Sequence, residues 1–153
     1  MRALICLMLI ALAAPAFAAD WGQYDNARFG YTIDVPPGFE WGPEADNGDG
    51  RTFREGATKL VVWGGNVMEP GFEGEVAAAM DFVETDGWAI SYQAVTPSWA
   101  SFSGARGRRI LYQRMVALCD GAYAAFRLEY SAIDLGKLDS VVERLVRSLK
   151  GGC

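Results

Sequence analysis

Histidine is absent from the 153-residue chain. Its absence removes every catalytic triad, metal centre and proton shuttle that relies on an imidazole. Basic residues are few, with 14 Lys and Arg against 19 Asp and Glu and no basic block. Nucleic-acid affinity comes mainly from Lys and Arg displacing counterions, so no nucleic-acid partner is expected. Beyond the first apolar run no segment approaches the ~20 residues needed to cross a bilayer, so the chain is read as not membrane-spanning. The G-x-S-x-G frame, the P-loop and the dinucleotide fingerprint are all missing, and Ser101 and Ser103 lack the glycines of a nucleophile elbow. With no catalytic motif and no cofactor signature, an enzyme is not the expected reading.

What is present begins with an export signal. Arg2 supplies a charged start, Ala3–Ala14 is an unbroken apolar run, and Pro15 ends it. Ala16-Phe17-Ala18 then places small residues where a signal peptidase needs them. Residues 1–18 are therefore assigned as a signal peptide and 19–153 as one mature domain, periplasmic or secreted. A remainder of about 135 residues suits a single core that buries roughly two thirds of its unfolded surface. Cys6 lies inside the apolar run, not at the cut, which argues against lipid anchoring. Its removal leaves Cys119 and Cys153, an even pair in an oxidising compartment, and a disulfide is the first reading. It would close a loop of roughly 34 residues, worth about 3–4 kcal/mol on the chain-entropy account. The competing reading, a catalytic thiolate at Cys119, needs a base or positive neighbour, and Asp120 is adjacent instead.

Alternation with period two dominates the mature chain and predicts strands over Phe29–Val35, Thr58–Trp63, Trp88–Ala94, Trp99–Ser103, Arg108–Cys119 and Ala122–Tyr130. Cys119-Asp120-Gly121-Ala122 reads as a tight hairpin turn, because Asp-Gly takes positive φ readily. Two stretches change to helical spacing. Phe72, Val76, Ala79, Met80 and Val83 recur at three and four residues, with Gly87 as the stop. Leu135, Leu138, Val141, Val142, Leu145, Val146 and Leu149 form a continuous stripe over Leu135–Lys150, with Asp134 placed to cap its start. That stripe must be buried against a sheet. Strands, a helix, four more strands and a last helix predict an α+β fold: a mainly antiparallel β-sheet packed against helices, the C-terminal helix lying on it.

Several stretches carry a resemblance as a set: Asn26-Ala27-Arg28-Phe29-Gly30-Tyr31, Pro36, Asn47 to Phe53, Val62-Trp63-Gly64, Trp99 to Gly104, and Leu128-Glu129-Tyr130 before the last helix. Together they resemble a family of short exported bacterial proteins of uncharacterised function, similar in turn to the PsbP-like sandwich, which is named for an extrinsic photosystem subunit. The resemblance implies an antiparallel sheet between helices. It brings no catalytic residues and suggests a binding or scaffold module.

Three constellations remain as candidate sites. Glu44, Asp46 and Asp49, with Asn47 among them, offer the oxygen ligands Ca²⁺ prefers, but their register is wrong for an EF-hand, and a tight turn at Asn-Gly and Asp-Gly is the competing reading. Five tryptophans are present. Trp88 falls in phase with Ile90 and Tyr92 and is read as core, whereas Trp41 and Trp99, beside prolines and serines, are the surface candidates for stacking on a glycan. Arg106, Arg108, Arg109 and Arg114 make a local positive region; alternation puts Arg108 and Arg114 on one strand face, able to grip a carboxylate or phosphate or to pair with Glu129 and Glu143. A carboxylate pair, Asp81 with Glu84 or Asp34 with Glu40, would be needed for a hydrolase. The expectation is an exported, non-catalytic binding or scaffold domain of the cell envelope whose partner is a protein or a glycan. The alternative is a glycan or small-ligand binder using exposed aromatics.

Overall fold

A computed structural model describes residues 20–68 and 70–151. The leader assigned to residues 1–18 and the disulfide candidate Cys153 lie outside the described residues.

The chain runs β1 (Gly22–Asn26), β2 (Tyr31–Val35), β3 (Glu40–Glu44), β4 (Gly50–Glu55), β5 (Thr58–Asn66), α1 (Phe72–Thr85), β6 (Ala89–Val95), β7 (Trp99–Arg106), β8 (Arg109–Ala117), β9 (Ala122–Ser131), α2 (Leu135–Ser148) and β10 (Lys150–Gly151). Seven strands form the main sheet in the order β3-β4-β5-β9-β8-β7-β6, and β1-β2-β10 form a small second sheet. Every pairing among the described strands is antiparallel. The fold is α+β, as the periodicity predicts.

Alternation on β8 and β9 decides the layers, because successive side chains on a strand point to opposite faces. On one face, Ala124, Phe126, Leu128 and Tyr130 of β9 join Ile110, Tyr112 and Val116 of β8. Against them pack Tyr31, Ile33 and Val35 of β2 and Leu138 and Leu145 of α2. The C-terminal helix therefore lies on the sheet with its apolar stripe inward. On the other face, Leu111, Met115, Ala100 and Phe102 pack under Phe72, Val76 and Val83 of α1, with Trp88 closing that core. The main sheet carries apolar side chains on both faces, one under α2 and the small sheet and the other partly under α1.

The β8–β9 turn is as its sequence demands: Asp120 and Gly121 both have positive φ, 60° and 70°, and Leu118 N–H donates to the Ala122 carbonyl at 2.8 Å. Other expectations are corrected. Phe29 belongs to the turn between β1 and β2, where its backbone N–H donates to Asn26 Oδ1 at 2.9 Å. α2 ends at Ser148, two residues earlier than its stripe implies, and Lys150–Gly151 instead adds a short strand to β2. Asp134 precedes α2 but makes no side-chain capping bond. A bulge between Ile90 and Tyr92 breaks the phase read for β6, so Trp88 is 3% exposed while Tyr92 stands 48% exposed.

Candidate functional site

Strand register places a polar row in the middle of the α1-facing side of the sheet. Val61 of β5 lies opposite Arg127 of β9, and Arg127 lies opposite Gln113 of β8. The rows on either side are Lys59–Glu129–Leu111 and Trp63–Ala125–Met115. α1 covers the β7–β8 end of this face through Phe72, Val76 and Val83. Over β5 and β9 it stands away, and Glu75, Ala78, Ala79 and Phe82, spaced three, four and seven apart, form the second wall of a cleft. Its volume is about 450 Å³, within the range of small-molecule sites, roughly 300–1,000 Å³. The lining is largely apolar, from Val61, Trp63, Ala79, Phe82, Met115 and Tyr123.

At the floor, Gln113 is fully buried. Arg127 Nε donates to Gln113 Oε1 at 2.8 Å, which fixes the orientation of the amide. The other end of that amide, Nε2, is buried and has no hydrogen-bond partner among the described residues. A buried donor left unpaired costs about 1–3 kcal/mol, so its retention calls for an explanation. The Arg127 guanidinium lies 5.9 Å from the Trp63 ring centroid and 5.7 Å from that of Phe82. Burial pulls its pKa below the ordinary arginine value, against the opposing attraction of Glu129 and Asp86. Among the described residues no carboxylate comes within 4.0 Å of it as an ion pair. The two acids of the lining are engaged elsewhere: Glu75 accepts from the Met68 backbone N–H at 2.8 Å and Glu129 meets Arg109 at 4.0 Å. Burial also raises the Tyr123 hydroxyl pKa. The cleft thus combines apolar walls with a donor-rich floor at Arg127 and Gln113, and Lys59 lines it one row away, opposite Glu129.

The residues singled out by the sequence lie elsewhere and do not converge. Trp41, 44% exposed on edge strand β3, makes edge-on contacts with Phe53 and Tyr24, ring centroids 5.0 and 6.4 Å away. Arg51 sits 5.6 Å from its ring. Trp99 on β7 is half-buried beneath Arg114, whose guanidinium is 4.3 Å from the ring and donates to Ser101 Oγ at 3.0 Å. Arg108 is not on that strand face. It occupies the exposed turn before β8, because Gly107, with φ of 60°, turns the chain there. Arg108 and Arg114 therefore form no clamp. Of the proposed acidic partners, Glu129 meets Arg109, while Glu143 pairs with Arg147 within α2 at 3.6 Å.

Glu44 is held by Arg51 at 2.9 Å and accepts from the Tyr24 hydroxyl, and Asp49 accepts from Asn47 Nδ2 at 2.8 Å. Asp46 is exposed beside them. The segment is a turn closed by its own hydrogen bonds, with Gly48 at φ of 69°. Among the described residues no three His, Cys, Asp or Glu side chains converge to hold a metal ion. Neither carboxylate pair forms a cleft. Asp34 is bound by Arg144 at 2.7 Å and sits in the small sheet, apart from Glu40, while Asp81 and Glu84 are exposed on α1. Cys119 lies exposed at the β8–β9 turn. No helix among the described residues is long and apolar enough to cross a membrane.

Alternation along Ala122–Tyr130 puts Arg127 on the face opposite Phe126, and Gln113 is not among the candidates singled out above. The signal was there: Leu111-x-Gln113-x-Met115 interrupts an apolar strand face with one amide, directly across from an arginine.

No protein-family model matches the chain. Two curated proteins share 41% identity over 70 residues, inositol 2-dehydrogenase of Pseudarthrobacter chlorophenolicus and inositol 2-dehydrogenase 1 of Paenarthrobacter aurescens. The match takes in 46% of this chain and only 19% of either dehydrogenase. In three dimensions the chain is similar to the solution structure of cyanobacterial PsbP (CyanoP) from Synechocystis sp. PCC 6803, with a TM-score of 0.69 at 13% identity, over 91% of this chain and 96% of that one. The fold is PsbP-like.

Proposed function

We propose that this protein is an exported, non-catalytic binding domain of the cell envelope whose binding site is the cleft between α1 and the β5–β9–β8 surface. The observation that carries the reading is the fully buried Gln113 with an unpaired Nε2 at the foot of an apolar cleft of about 450 Å³. Buried polar groups are normally satisfied, and an incomplete set at the foot of a concave apolar site is what a ligand completes. Trp41 and Trp99 each carry an arginine near the ring face, which leaves less flat surface for stacking on a sugar. Export rests on the leader assigned to residues 1–18, and a Cys119–Cys153 disulfide, joining the β8–β9 turn to the chain beyond β10, fits that compartment. Dehydrogenase chemistry finds no support in the dinucleotide fingerprint, which is absent, or in a parallel βαβ unit, since all described pairings are antiparallel.

The reading is tested by filling the cleft. Ala79→Trp fills the space beside Phe82; because Ala79 also packs against the core of Leu111, Met115 and Ala125, near-ultraviolet circular dichroism verifies that the variant is folded. Native mass spectrometry of the wild-type protein exposed to a small-molecule extract of the envelope is expected to show a non-covalent adduct that this variant loses. Adducts retained by Ala79→Trp, or absent from both proteins, contradict the proposal.

A further inference from the structure

The chemistry of the cleft floor specifies its ligand more narrowly than its volume does. Resting on the cleft as a binding site, we infer that it takes an amphipathic monoanion, a carboxylate carried on a flat or linear apolar body, with Arg127 as the anion-binding group and Gln113 as its positioning residue.

Three observations lead there. First, what the floor offers is donors. Gln113 Oε1 is consumed by Arg127 Nε at 2.8 Å, so the remaining capacity is the Gln113 Nε2 hydrogens and the terminal nitrogens of the guanidinium. Only an acceptor satisfies such a set, and a charged acceptor does so most strongly. Second, the lining is neutral overall, with Arg127 and Lys59 set against Glu75 and Glu129. Arg127 has no ion-pair partner among the described residues and stands with Gln113 at the floor, whereas Lys59 lies one row away, opposite Glu129. One negative charge meets Arg127; a second leaves the lining without a balancing cation. Third, the walls are apolar and aromatic. Trp63 and Phe82 flank the guanidinium at 5.9 and 5.7 Å, and Phe82 is 63% exposed at the mouth, where a ligand body covers it. An exposed phenyl ring beside a half-buried cation is covered on both counts by a molecule with an acid head and an apolar tail. Gln113 acts through Arg127: its Oε1 holds Nε and turns the outer edge of the guanidinium toward the cleft.

Calorimetric titration of the full-length mature protein with phenylbutyrate, phenylbutanol and phenyl phosphate decides the matter. The acid is expected to bind about tenfold or more tighter than the alcohol, the worth of one charge-assisted hydrogen bond. Phenyl phosphate is expected to bind more weakly than the acid. In Arg127→Gln the preference of acid over alcohol falls to about one, and in Gln113→Leu it falls several-fold. That ratio is not moved by a merely structural role, and near-ultraviolet circular dichroism verifies that each variant is folded. Equal affinity for acid and alcohol, or a preference that survives Arg127→Gln, overturns the carboxylate inference while leaving the cleft a binding site. Tighter binding of the phosphate overturns the single-charge argument. Failure of all three compounds to bind overturns both the ligand class and the cleft itself.

Discussion

Tyr31 has no exposed surface, and its hydroxyl donates to the Asp49 carbonyl at 2.9 Å. Burial, reinforced by the nearby Tyr24 and Glu44, raises its pKa far above the ordinary 10.0, and burial raises Tyr24, Tyr123 and Tyr130 as well. Each phenol is thus neutral in the fold at a pH where the unfolded chain has begun to lose its proton. The unfolded state then holds fewer protons than the native one, so stability is full below pH 10.0 and falls as the pH rises beyond it. Urea unfolding across an alkaline series is expected to show that decline, with a shallower slope in Tyr31→Phe; an unchanged slope would remove Tyr31 from the account. At this scale the sequence was readable where local chemistry decides, as at Asp120-Gly121 with its paired positive φ values. It was unreadable where a partner far along the chain decides. The position of Trp41 depends on Phe53 and Tyr24, and the meaning of Gln113 depends on Arg127, fourteen residues away and on another strand.

Among the elements, β2, the second half of the sheet and both helices were visible because their burial follows a period: every second residue in β2, β8 and β9, and every third or fourth in α2. β1, β3 and β4 were not. β3 is an edge strand, Glu-Trp-Gly-Pro-Glu, almost wholly exposed, and Pro and Gly inside a run normally argue against a strand. β4 pairs along its whole length with β5 but buries only Gly50 and Phe53. What fixes it is close backbone approach. A Cβ on Gly50 would lie 1.9 Å from the Val62 carbonyl oxygen, a clash no rotamer relieves. Gly50→Ala is therefore expected to destabilise the fold by about 1–3 kcal/mol or more in chemical denaturation, by forcing β4 away from β5. A loss under about 0.5 kcal/mol, the ordinary range of a neutral surface change, would show that the two strands separate at no cost.

For the molecule as a whole, two faces of one sheet are used differently. The face under α2 and the small sheet is closed by Leu138, Leu145, Tyr31, Ile33 and Val35 and leaves its apolar surface packed. The face under α1 is covered over β7, β8 and Ala125 of β9, and the part left open over β5 and the rest of β9 becomes the cleft. A PsbP-like fold does not specify a ligand; the floor of this chain's cleft does. The expectation of aromatic surface sites at Trp41 and Trp99 followed from the prolines and serines beside them, whereas the cleft follows from how α1 is set against the sheet, which no periodicity encodes. The most direct measurement is a map of amide and indole resonances during titration with phenylbutyrate. The account predicts shifts at the Gln113 side-chain amide, Arg127 Nε and the Trp63 indole, with Trp41 and Trp99 unmoved. Shifts gathered instead around Trp99 and Arg114, with the Gln113 amide unchanged, would contradict it.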